Sequence, residues 1–148
     1  MKKAIAALLV GVSMSAMASG PYDGLYQSTT NERSFLLVNQ NGPLVLAANY
    51  YAVPTDGNVR LVYGNETIRP PLMYMWDAFM GPIEGNTGNV TGMALSGACD
   101  VGMRFIFDGS VLNWTITKSE QTQLGASQSV SCNSILPVGA SGQGKRVF

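Results

Sequence analysis

Turn dipeptides that call for positive backbone φ recur along this chain, and they limit its fold more than any other feature. Asn41-Gly42, Asp56-Gly57, Gly64-Asn65 and Asp108-Gly109 each stand beside short apolar runs. Asn and Gly adopt the left-handed conformations of tight hairpin turns at little cost. The runs between the turns are rich in Val, Tyr, Thr and Phe, which suit a pleated strand, and poor in helix-forming stretches. Strands are expected over residues 24–27, 34–40, 44–53, 59–63, 72–83, 90–96, 99–107 and 111–119, with a short last one over 130–135. In residues 99–107, Val101, Met103, Phe105 and Phe107 share one face. In residues 111–119, Leu112, Trp114 and Ile116 oppose Val111, Asn113, Thr115 and Thr117. Arg69-Pro70-Pro71 marks an edge or loop, because proline cannot donate to a ladder.

Consecutive hairpins place sequence neighbours side by side. A meander of about eight strands protects its edges by curling into a barrel or splitting into two sheets. The expected fold is all-β: one antiparallel meander closing into a small barrel or half-open sandwich. Residues 19–148 form a single domain in this reading. The Gly-rich end, 139–148, is expected to be a loose tail.

The N-terminus has the layout of an export signal. Lys2 and Lys3 precede an apolar stretch, Ala4 to Val12, and small residues lead to Ala16-Met17-Ala18. Cleavage is expected between Ala18 and Ser19, leaving 1–18 as a signal peptide of bacterial type. The stretch is too short for a transmembrane helix, which takes about 20 apolar residues. Ser19 stands where a lipoprotein would carry Cys. The chain has nine basic and nine acidic residues; losing Lys2 and Lys3 leaves seven against nine, a formal net of −2. Such a scattered, slightly acidic balance excludes a general nucleic-acid binder. The two cysteines, Cys99 and Cys132, are expected to pair in an oxidising compartment, the periplasm or the exterior. A redox or metal pair would want C-x-x-C spacing or a His partner, and the chain has no His.

Catalytic constellations are weak. Lys118 has no Ser-x-x-Lys pattern and reads as a solvent-facing strand residue. Asp77 and Glu84 flank Gly81-Pro82 as a conceivable carboxyl pair, whereas Asp100 and Asp108 sit a full strand apart. Asp56-Gly57-Asn58 is turn chemistry and lacks the repeated ligands of a calcium loop. Met73 and Met75, beside Trp76, have the softness for Cu(I) but read as core filler. Neither a cofactor nor a metal is expected. Three glycosylation sequons, at Asn65, Asn89 and Asn113, are incidental in a bacterial chain.

Gly24-Leu25-Tyr26, the strand ending Gln40-Asn41-Gly42, and Leu46-Ala47-Ala48-Asn49-Tyr50-Tyr51 before Asp56-Gly57 resemble a loose group of exported bacterial proteins. Their units begin Gly-x-Trp and continue through a Gln-x-Gly turn and an aromatic-rich strand; Tyr26 stands where that group has Trp. Pro82-Ile83-Glu84-Gly85 and Gly97-Ala98-Cys99 are similar to its later segments, so the likeness spans residues 22–107. It implies an exported β-meander and carries no activity. The opening also resembles lipocalin and avidin-like barrels, which bind small ligands.

The functional expectation is an exported, non-catalytic barrel-like binding protein whose ligand or envelope partner is open. Tyr50, Tyr74, Trp76 and Trp114 are the candidates for ligand contact, because aromatics give large apolar area with a polar tip. The alternatives are an outer-membrane barrel or structural envelope protein, favoured by the terminal Phe148, and, third, an enzyme of unusual chemistry.

Overall fold

The computed structural model describes residues 20–53, 61–63, 66–68 and 72–148. The leader expected over 1–18, its cleavage site at Ala18 and Ser19, and the Arg69-Pro70-Pro71 interruption lie outside them. Among the described residues, ten strands and two short helices follow in order. They are β1 (Gly24–Ser28), β2 (Ser34–Asn41), β3 (Leu44–Val53), β4 (Leu61–Tyr63), β5 (Glu66–Ile68), β6 (Leu72–Glu84), β7 (Thr87–Ala94), β8 (Cys99–Asp108), β9 (Val111–Gln121), α1 (Gln123–Ser127), α2 (Cys132–Ile135) and β10 (Ser141–Arg146). Eight strands close into an antiparallel barrel in the order β1-β10-β9-β8-β7-β6-β3-β2. The barrel alternative of the sequence reading is therefore the observed one. The β4–β5 hairpin is a separate two-stranded sheet inserted between β3 and β6.

Two expectations are overturned. Residues 139–148 are no loose tail: β10 closes the barrel, pairing Tyr26 with Arg146 and Ser28 with Gly144 on one side and Gly142 with Trp114 on the other. Its glycines provide room, since a Cβ on Gly142 would overlap the Trp114 ring and one on Gly144 would press on Tyr26. Residues 130–135 are no strand either; Cys132–Ile135 is a helical turn. The edge of β9 that such a strand would need is taken by β10. The chain instead turns at α1, whose N-cap Thr122 accepts the Gly125 N–H at 3.1 Å. Cys132 then meets Cys99 in a disulfide with the Cα atoms 5.7 Å apart.

Alternate residues of each strand point inward. Tyr26, Val38, Val45, Ala47, Phe79, Ile83, Val90, Ala94, Val101, Phe105, Phe107, Leu112 and Ile116 are the buried apolar interior. Register shifts at Asn49/Tyr50 and Gly102/Met103 add the local twist that closing a barrel requires. One barrel end carries tight turns with Gly42, Gly85 and Gly109 at positive φ. There Tyr22 stacks on Phe107 with ring centroids 4.4 Å apart. Arg146 donates to the Tyr26 hydroxyl at 2.7 Å and to the Pro21 carbonyl at 2.8 Å. This aromatic plug fills that end. The other end carries the longer connections, among them residues 29–33, the 95–98 turn and the α1–α2 segment.

Candidate functional site

Above the plug the interior is not filled. A cavity of about 150 Å³ lies in the half of the barrel nearer the long connections. Phe105, Met103 and Val101 from β8, Leu112, Trp114 and Ile116 from β9, and Leu136 from the α1–α2 cap give it apolar walls. An eight-stranded barrel is just wide enough either to fill with side chains or to hold one small ligand. Here Gly142 and Gly144 stand opposite the bulky Trp114 and Leu112, and Ala94 and Ser34 contribute little volume near the open end.

A polar arc crosses the wall made by β2, β3 and β6. The Ser34 hydroxyl donates to Asn49 Oδ1 at 3.4 Å, and Asn49 pairs in register with Asp77 and hydrogen-bonds its carboxyl. Asp77 Oδ1 also accepts the Leu95 N–H at 2.9 Å. Leu95 and Ser96 both have positive φ, 52° and 57°, a costly conformation for residues with a side chain. Asp77 thus tethers a strained turn and lines the cavity. Burial pushes its carboxyl above the usual carboxylate range, against the lowering effect of the Leu95 and Asn49 hydrogen bonds. Ser28 lies on this cavity and also on an open polar hollow formed by residues 27–33 and Tyr51.

Of the aromatic candidates, Trp114 lines the cavity. Tyr50 does not: it pairs with Phe35 on the outer face, because Ala47 and Asn49 take the inward positions before the register shift. The side chains of Tyr74 and Trp76, and of Met73 and Met75, lie outside the described residues. Asp77 and Glu84 are not a catalytic pair, since Asp77 faces the cavity and Glu84 is exposed at the plugged end. Lys118 faces outward and bridges Asp100 at 2.7 Å and Glu120 at 3.2 Å; the hydrogen bonds it donates to these carboxylates raise its ammonium pKa. Among the described residues no three His, Cys, Asp or Glu side chains gather as a metal site. From sequence, Asn49 was missed, Asp77 was weighed only as a partner of Glu84, and Ser34 and Leu136 were missed. Parity would have found the first two: Val45 and Ala47 point inward, so Asn49 follows, and Asp77 shares the face of Phe79.

The outer surface is two-sided. On β2, β3, β6 and β7 it carries exposed apolar side chains, with Leu46 51%, Met80 58% and Met93 61% exposed beside Asn39, Asn89 and Thr91, and the row Leu37–Ala48–Ala78–Met93 runs unbroken across four strands. On β8, β9 and β10 it carries Arg104, Asn113, Thr115, Lys118, Glu120, Gln143 and Lys145. Compared with protein-family models, curated proteins and solved structures, the chain matches none.

Proposed function

We propose that this is an exported, non-catalytic barrel that binds a small, largely apolar ligand in its interior. The observation that carries the reading is the cavity of about 150 Å³, apolar on most walls and polar along the Ser34–Asn49–Asp77 arc. That arrangement, an apolar container with a few convergent polar groups, is typical of small-ligand sites. A cavity of about this volume lined by apolar side chains accepts a benzene-sized group. Export is supported by the signal-like N-terminus and by the Cys99–Cys132 bridge, which persists in oxidising compartments. Binding is favoured over catalysis because, among the described residues on the cavity wall, Asp77 is the one carboxyl and no amine accompanies it.

An outer-membrane barrel would be polar inside and apolar all around its outer belt. The described side chains run the other way, with an apolar interior and charges on the outer faces of β8, β9 and β10. The exposed apolar wall of β2, β3, β6 and β7 favours a second reading, in which that face docks a partner in the envelope.

Native mass spectrometry of protein recovered from its producing cells without detergent tests the ligand reading. A bound non-protein mass is expected, and it is lost in Ala94→Leu, which fills the cavity. An unaltered bound mass in that variant would move the site elsewhere.

A further inference from the structure

The cavity has a sign. Among the described residues that line it, Asp77 is the one formal charge and none is Lys or Arg. The Arg146 side chain is committed at the plugged end to Tyr26 and Pro21. A carboxylate or phosphate ligand would therefore bring a second anion to Asp77 with nothing to pair it. A wholly apolar ligand would leave the carboxylate facing hydrocarbon. A ligand with a cationic donor satisfies it, because an ionised carboxylate has about four acceptor sites and Leu95 and Asn49 fill only some of them. Trp114 on β9 and Phe105 on β8 stand across the barrel from β3 and β2 in strand order, placing aromatic surface opposite the polar arc. Such rings attract cations and cover apolar bodies.

We propose that the cavity takes a small organic amine: an apolar body of about benzene size, its ammonium on Asp77 and its body against Trp114 and Phe105. This rests on the interior being the ligand site.

The test uses three probes of nearly equal shape, benzylamine, toluene and benzoate, titrated at pH 7 into the purified protein by amide-resolved NMR. Benzylamine is expected to bind at least about tenfold tighter than toluene, as a charge-assisted hydrogen bond warrants. Benzoate is expected to be excluded. In Asp77→Asn the advantage of the amine should vanish while toluene still binds. Toluene binding with benzylamine no better would overturn the amine and leave the cavity as the ligand site. Binding of none of the three, with unchanged signals at cavity residues, would overturn both. Benzylamine held equally well by Asp77→Asn would also overturn the role of Asp77. Should that variant not fold, the ranking of the three probes on the native protein decides alone.

Discussion

Breaking the Cys99–Cys132 bridge should cost this barrel a large part of its stability. The bridge spans 33 residues of sequence, from the start of β8 through the whole of β9 to α2. In the chain-entropy treatment a closed loop of that length removes roughly 3–4 kcal/mol of freedom from the unfolded chain. Small domains have about 5–15 kcal/mol in total. The protein should therefore remain folded when reduced, with a melting temperature lower by on the order of 10–15 °C for a domain of this size. Urea unfolding followed by tryptophan fluorescence, with and without reductant, is the direct assay. Reduction of the native cysteines is preferable to a double Ala variant. Both sulfurs are buried, and truncating them would add a packing loss to the loop effect. The slope of stability against urea should rise on reduction, because an uncrosslinked unfolded chain exposes more surface. A local effect is expected as well. The bridge holds α2 against the barrel, and the next residue, Leu136, lines the cavity. Limited proteolysis of the reduced protein should cut first within 122–140. A loss below about 1 kcal/mol with an unchanged slope would refute the loop reasoning. It would mean that the unfolded chain already holds these segments together.

Asp77 gives a pH signature with a definite sign. Its folded pKa is raised by burial, so its contribution to stability is fully present below the unfolded value near 3.8 and is lost as pH rises through the folded value. Asp77→Asn keeps an acceptor for the Leu95 N–H without the charge, so its urea midpoint relative to the native protein should climb between pH 4 and pH 7. A relative fall over that range would contradict the desolvation account. Gly142→Ala should destabilise by about 1–3 kcal/mol, as overpacked cores do, because the new methyl meets the Trp114 ring. Its near-ultraviolet circular dichroism should change with it; an unaltered spectrum and midpoint would show that the ring has room to move.

Much of the strand content was readable from local features, and the reasons are physical. The tight turns after Asn41 and Asp108 are decided locally, each by one glycine, Gly42 or Gly109, at positive φ. The alternation of Val101, Phe105 and Phe107 reports burial on one face without reference to the partner strand. The Cys99–Cys132 pairing was legible because the sequence holds two cysteines and so one possible bridge. The candidate site was less legible, because its polar members look like ordinary strand residues and take on meaning only by facing one cavity.

What tertiary structure decided was everything that depends on a non-local partner. Gly142 and Gly144 read as looseness in isolation and become close-fitting once Trp114 and Tyr26 lie beside them. Residues 130–135 carry strand-like composition, but with β10 on the edge of β9 no ladder remains for them, and Cys132–Ile135 turns into a helix instead. Strand alternation turns Tyr50 out and Asn49 in, but that Asn49 meets Asp77, with the register slipping by one just beyond them, is a matter of how two distant strands align. Strand identity is a property of short windows, whereas closure, inward facing and the shape of the cavity are set by pairings that the chain settles only when its first and last strands meet.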